Sequence, residues 1–244
     1  MKRGAFIFDG VNSEDLNTLI QYRPIVDAPM RKVETKSPYG IDGDIPFDEG
    51  SYSNTEMELI LVVNGRNVIA DRQALYNVMD TRGMYKEFIP FFDPEKIYRV
   101  MLMDKVQFEN THMYGNAQAV SVKFTIKPYK YLVKNNPVTI SGTSGTITNP
   151  TNYVSQPIIK VTGTGNVTLK VNGEDFNIRN LPNHITLNSE RYIAYQEDTS
   201  GNLINMNDRV GTREYPILKP GVNTISATGS VTKIEIQPRW RSLV

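Results

Sequence analysis

Short runs of alternating apolar and polar residues, separated by turn-forming residues, fill the second part of this 244-residue sequence. The clearest case is residues 167–171, which are followed by Asn172-Gly173 and then by residues 174–178. Asn-Gly between two alternating runs favours a hairpin, because both residues tolerate positive φ. The other turn signals are Ser200-Gly201-Asn202, Lys219-Pro220-Gly221 and Thr228-Gly229-Ser230, the last of which precedes a final strand over residues 231–236. Many short strands at this spacing predict a β-sandwich.

The first part of the chain combines strand patterns with one helix pattern. Residues 120–126 alternate, which places four apolar side chains on one face of a strand. Residues 57–63 are apolar on both faces after Glu58, so they predict a more deeply buried strand. Residues 67–80 predict a helix, with Asn67 as its N-cap and Gly83 as its stop signal. Its apolar stripe consists of Val68, Leu75, Val78 and Met79.

The character of the sequence changes near residue 133. Asn135-Asn136-Pro137 has the composition of a linker, because Pro cannot donate to a β-ladder and restrains the residue before it. We therefore predict a mainly β chain with two domains, residues 1–133 and 134–244. Residues 31–52 contain five Pro or Gly residues and are predicted to form a long irregular arm.

The sequence offers little catalytic chemistry. The absence of Cys excludes disulfides, thiolate metal sites and Cys nucleophiles. His112 and His184 have no second His at metal-ligand spacing, and no phosphate-binding loop or nucleophile motif is present. The acidic residues between Asp42 and Glu49 are interrupted by residues 45–47, which favours a solvated loop over a calcium site. We predict no enzyme activity, no cofactor and no metal; a hydrolase whose carboxylates escape sequence analysis remains an alternative.

Charge and hydropathy limit the classes of partner. There are 27 Lys and Arg against 26 Asp and Glu, so the basic excess typical of nucleic-acid binding is missing. The longest aliphatic run, residues 59–63, is too short to span a bilayer, and the N-terminal apolar segment is too short for a signal peptide. We expect neither specific nucleic-acid binding nor membrane insertion.

A carbohydrate-binding module for host adhesion is the alternative function, because sandwiches often bind sugars against an exposed aromatic ring. The single Trp, Trp240, lies four residues from the C-terminus. We predict that it packs the last strand against the sheet or contacts a neighbouring chain, since aromatic residues more often anchor packing.

Several short motifs follow one another along the whole chain. In the first part they are Gly4-Ala5-Phe6-Ile7-Phe8-Asp9-Gly10-Val11-Asn12-Ser13, Tyr22-Arg23-Pro24, Pro38-Tyr39-Gly40, Tyr98-Arg99-Val100 and Phe124-Thr125-Ile126-Lys127-Pro128-Tyr129-Lys130-Tyr131. In the second part they are Pro157-Ile158-Ile159-Lys160-Val161, Tyr215-Pro216-Ile217-Leu218-Lys219-Pro220-Gly221-Val222-Asn223 and Pro238-Arg239-Trp240-Arg241. With this order and spacing, the chain resembles the distal tail protein (Dit) family of bacteriophages with long, non-contractile tails (siphoviruses).

The resemblance implies a structural protein of the virion tail tip, assembled in the cytoplasm of the bacterial host. It implies an N-terminal β-sandwich or split-barrel-like domain with one helix and an extended arm, plus a C-terminal galectin-like β-sandwich. Six N-terminal domains would form a ring between the major tail tube protein and the tail-associated hub protein. The C-terminal domains would dock receptor-binding or other baseplate proteins. Sugar binding does not carry over, because the segment from His184 to Asn188 lacks the Arg that follows in galectins.

The predicted arm is the candidate subunit interface. About 20 residues without regular structure are rare in a compact domain unless they have a function. We expect this arm to pack on the adjacent subunit of the ring. Its anchors would be five aromatic or aliphatic residues, because aromatic side chains dominate interface hot spots. These residues are Tyr39, Ile41, Ile45, Phe47 and Tyr52.

Overall fold

A computed structural model of the protein describes residues 1–108, 117–211 and 214–244. It divides into two compact units, one formed by residues 1–133 with 243–244, and the other by residues 134–242. The last two residues, which the sequence analysis assigns to the second domain, thus belong to the first unit. There the Val244 amide donates to the Pro128 carbonyl at 3.1 Å. His112, one of the two histidines considered above, lies outside the described residues.

The first unit is built on a nine-stranded sheet and a separate two-stranded sheet. Its strands are β1 (Phe6–Phe8), β2 (Val11–Asn12), β3 (Thr18–Ile20), β4 (Arg31–Lys36), β5 (Ile45–Tyr52), β6 (Thr55–Asn64), β7 (Lys86–Pro90), β8 (Lys96–Leu102), β9 (Gln107–Phe108) and β10 (Ala117–Leu132). The large sheet has the order β2-β1-β7-β8-β10-β6-β3, and β9 also pairs with β10. The C-terminal strand, Arg241–Leu243, completes this sheet beside β10 and is numbered β19 in chain order.

The central pair of the large sheet is β10 with β6. They run antiparallel from Ala117 opposite Asn64 to Ile126 opposite Thr55. The predicted alternation over residues 120–126 is confirmed, because the four apolar side chains are completely buried. The prediction for residues 57–63 is wrong in one respect: β6 alternates between buried and exposed positions, and Ile60 is exposed. The reason is that this antiparallel sheet covers the core with one face only.

One α-helix is present among the described residues of the first unit, α1 (Val68–Met79). As predicted, Asn67 caps it: its side-chain oxygen accepts a hydrogen bond from the Ala70 amide at 3.2 Å. Leu75 and Met79 are completely buried in the core. Several aromatic rings meet in the same core, including those of Phe8 and Phe124, whose centroids are 5.7 Å apart.

Residues 31–52 form a β-hairpin, so the prediction of an irregular arm is wrong. Strands β4 and β5 pair antiparallel from Lys36 opposite Ile45 to Arg31 opposite Tyr52. The Pro and Gly residues that suggested irregular structure have other roles. Three of them lie in the loop over residues 37–44, and Gly50, with φ of 72°, lies where the register shifts. Pro46 is tolerated because a two-stranded ribbon has open edges that require no amide donor.

The second unit is a β-sandwich built from eight strands. They are β11 (Val138–Ser141), β12 (Ser144–Asn149), β13 (Ile158–Val171), β14 (Glu174–Leu181), β15 (His184–Asn188), β16 (Ile193–Glu197), β17 (Leu203–Asn205) and β18 (Gly221–Gln237). Their order is β11-β18-β13-β15-β16-β17, while β12 pairs with β18 and β14 pairs with β13. The predicted hairpin at Asn172-Gly173 is confirmed: both residues have positive φ, and Val171 pairs with Glu174.

The two longest strands pass through both layers of this sandwich. The first half of β13 pairs with β15, and its second half pairs with β14. Strand β18 follows β13 along both halves, with register shifts between them. Bends at such irregularities let one strand contribute to two packed layers. The prediction of a turn at Thr228-Gly229-Ser230 before a separate strand is therefore wrong, because this segment is a bend within one continuous strand.

The described residues contain no helix that is both long and apolar enough to cross a membrane.

Candidate subunit interface

The hairpin formed by β4 and β5 stands out from the first unit, and we refer to residues 31–52 as the arm. Every residue from 32 to 50 is exposed to solvent. Six residues of β4, at about 3.4 Å each, give the ribbon a length of about 20 Å. The arm thus presents both of its faces and both of its edges.

The structure separates the five predicted anchors into two groups. Four of them are exposed along the arm, with exposed fractions of 105% for Tyr39, 54% for Ile41, 37% for Ile45 and 48% for Phe47. Tyr52 is half-buried at the base, where its ring meets that of Tyr129 edge-on at 6.2 Å. The exposed four are available to a partner, whereas Tyr52 fixes the arm to its own unit.

A charged pair braces the base of the arm. Arg31 donates two hydrogen bonds to Asp48, from Nε to Oδ1 at 2.8 Å and from Nη2 to Oδ2 at 2.6 Å. The Arg31 guanidinium also lies over the Tyr52 ring at 4.8 Å. These hydrogen bonds, with another from the Gly50 amide, hold the pKa of Asp48 below its ordinary value. This pair is not apparent in the sequence, because only the strand register brings residues 17 positions apart together.

Backbone contacts add to this brace. The Ser53 amide donates to the Met30 carbonyl at 2.9 Å, which closes the ribbon at its base. The Thr55 hydroxyl donates to the Asp27 carbonyl at 3.0 Å. Both connecting segments are therefore tied together where the arm leaves the large sheet.

The residues considered for sugar binding are mostly covered. His184 and Asn188 lie on the same face of β15, and Asn188 is buried and accepts a hydrogen bond from the Arg191 amide at 3.3 Å. Burial and the charge of Lys160 lower the pKa of His184, whose Nε2 has no hydrogen-bond partner among the described residues.

Trp240 belongs to the second unit and is buried. The residue is 7% exposed, and its backbone amide donates to the Asn135 side chain at 3.2 Å. A ring that is covered in this way does not offer the open face on which a sugar stacks. The acidic loop of the arm also lacks a metal cluster, since the described residues contain no group of three or more His, Asp or Glu placed to hold an ion.

Comparison with known proteins gives matches in structure only. No family model and no curated protein matches the sequence. The Dit protein of phage SPP1, described as a paradigm of the hub of the adsorption apparatus in phages that infect Gram-positive bacteria, superposes with a TM-score of 0.67. The two chains are 17% identical, and the match covers 98% of this chain and 99% of that one.

Two baseplate structures also match. A chain of the phage P2 baseplate, activated with Ca, gives a TM-score of 0.50 at 10% identity and covers 96% of this chain and 98% of its own. A chain of the phage p2 baseplate, activated with Sr, gives 0.52 at 10% identity, with coverages of 95% and 97%. The fold expected from the resemblance is confirmed: over nearly its whole length, the chain has the fold of phage Dit and baseplate chains.

Proposed function

We propose that this chain is a structural ring protein of a phage tail tip, and a member of the Dit family. Six copies would join the major tail tube protein to the tail-associated hub protein. The observation that carries this proposal is the likeness to SPP1 Dit, which extends through both units and covers 98% of the chain. The protein would act in the virion after assembly in the cytoplasm of the host, as a scaffold without catalytic activity.

The first unit would build the ring, and the arm supports this assignment. A free ribbon that exposes four large apolar side chains to water is costly for a monomer. Covering these side chains with a neighbouring copy removes that cost. A hexamer repeats the contact six times, so a modest interface is sufficient for a closed ring.

The second unit would dock receptor-binding or other baseplate proteins. Strand β17 ends the sheet order in the described part of the chain, so a partner strand could pair with its outer edge. Leu203 and Ile204 on this strand are exposed. Tyr192 is exposed as well, and its ring meets that of Tyr215 at 5.8 Å.

Deletion of residues 36–48 tests the ring assignment. We expect the full chain to elute as a hexamer in size-exclusion chromatography with light scattering, and the deletion variant to elute as a monomer. Its circular dichroism spectrum should keep the β signature, because every residue from 36 to 48 is exposed and none belongs to the core of the first unit. A matched control replaces exposed apolar residues of the second unit, Leu203→Ser with Ile204→Ser, and should remain hexameric. A deletion variant that still forms hexamers would show that the arm does not hold the ring together.

A further inference from the structure

A groove on the first unit combines an apolar floor with a charged rim. Its volume is about 320 Å³, and Leu19 and Val62 contribute the apolar surface. Lys2, Arg3 and Glu14 lie around it. Lys2 pairs with Glu14 at 2.6 Å, while Arg3 is exposed. Two positive charges against one negative charge leave the rim with a net charge of +1.

The tip of the arm, residues 37–44, has the complementary chemistry. It contains Asp42 and Asp44 and no Lys or Arg, so its net charge is −2. Tyr39 and Ile41 project from it into solvent. Asp44 accepts a hydrogen bond from the Ser37 hydroxyl, which ties the two sides of the loop together. The tip is therefore a shaped, acidic loop with two apolar side chains.

We propose that this groove receives the arm tip of a second copy of the chain, an inference that rests on the proposed ring. Tyr39 and Ile41 would cover Leu19 and Val62, and Asp42 would face the positive rim at Arg3. Tyr39 is fully exposed on its own chain, so the chain does not fill its own groove. The tip and the groove are different surfaces of the same chain. Each subunit would therefore insert its own tip into one neighbour and accept the tip of the other neighbour in its groove, which is the head-to-tail contact that generates a ring.

Another groove of the same unit lacks this complementarity. Its volume is about 300 Å³, and its charged lining residues are Asp9, Asp80, Arg82 and Lys86. Lys86 pairs with Asp9 at 2.6 Å, and Arg82 approaches Asp80 to 3.8 Å. Because these charges cancel, this groove offers no net attraction to an acidic tip. It provides a control site of similar size.

Charge reversal in the full-length protein tests the proposal. Arg3→Glu alone and Asp42→Arg alone should each weaken ring assembly about tenfold or more, as expected for a contact pair that becomes repulsive. The double variant, Arg3→Glu with Asp42→Arg, should assemble again, because every contact then contains the reversed pair. Arg82→Glu at the control groove should assemble like the wild type. Assembly is measured by mass photometry over a dilution series, and circular dichroism confirms that each variant is folded.

Mixing the two single variants gives a sharper result. In an alternating ring of six, each groove with the Arg3→Glu change would receive a tip with the Asp42→Arg change, and each unchanged groove would receive an unchanged tip. The equimolar mixture should therefore form hexamers that neither variant forms alone. The groove proposal would be overturned if the Arg3→Glu variant formed rings by itself at the same concentrations as the wild type. It would also be overturned if neither the double variant nor the mixture recovered ring assembly. If deletion of residues 36–48 abolished the ring while Arg3→Glu did not, the arm would remain the clasp and only the groove would be wrong.

Discussion

A methyl group added at Gly229 tests the bend that lets β18 pass through both layers of the second unit. Gly229 has φ of +95°, a conformation that side chains with a Cβ rarely adopt. A Cβ at this position would also lie 2.4 Å from the Asn166 carbonyl oxygen, whereas ordinary contacts begin at 3.4 Å. Gly229→Ala therefore combines backbone strain with a collision against the backbone of β13.

Two other glycines of the same unit separate these effects. Gly173 has φ of +88° and open space around it, so Gly173→Ala adds strain alone, about 1–2 kcal/mol. Gly163 lacks a positive φ, but its Cβ would lie 2.3 Å from the Ser230 carbonyl oxygen, so Gly163→Ala adds the collision alone, about 1–3 kcal/mol. Gly229→Ala should lower the free energy of unfolding by about 2–5 kcal/mol, the sum of the two.

Trp240 provides the assay, because it is the only Trp in the chain and is a buried residue of the second unit. The first unit contains no Trp, so the Trp fluorescence during urea unfolding follows the second unit. With a dependence of about 2 kcal/mol per molar urea, Gly229→Ala should lower the midpoint by about 1–2.5 M, and Gly173→Ala by about 0.5–1 M. A midpoint shift for Gly229→Ala no larger than that for Gly173→Ala would refute the collision at the bend.

Two further predictions use the same assay. Asn223 is completely buried; its side chain accepts a hydrogen bond from the Lys219 amide at 2.7 Å and donates one to the Lys219 carbonyl at 2.8 Å. Asn223→Ala should therefore lower the free energy of unfolding by about 2–4 kcal/mol, and an unchanged urea midpoint would contradict this. Burial and the charge of Lys160 lower the pKa of His184, so the unfolded chain binds a proton at higher pH than the folded unit does. The second unit should therefore lose stability as the pH falls from 7.5, through the ordinary His value of 6.5, to 5.5, and His184→Gln should reduce this loss; an equal slope in the variant would count against it.

The features of the fold that were predicted correctly depend on residues that lie close together in the sequence. Alternation over residues 120–126 identifies the buried face of β10, because the side-chain period of a strand is two. Asn172-Gly173 identifies a hairpin, because two adjacent residues must both adopt positive φ. Asn67 identifies a helix start, because the capping side chain reaches an amide three residues away.

The features that are not apparent in the sequence depend on contacts between residues that are far apart along the chain. Gly229 looks like a turn residue in the sequence, and only the pairing of β13 with β18 shows that it lies at a bend within one strand. The Pro and Gly residues of the arm suggest irregular structure, whereas the ladder from Arg31 to Tyr52 makes it a hairpin. The groove is equally invisible in sequence, because Arg3 and Val62 meet only in the folded unit.

The native mass of the purified full-length protein tests the proposed ring most directly. Native mass spectrometry at micromolar concentration should show a dominant species of about 166 kDa, the mass of six 27.6 kDa chains. Averaged electron micrographs of that species should show a six-fold ring with a central opening. A dominant mass of 27.6 kDa over the same concentration range would contradict the proposal that this chain forms a ring by itself.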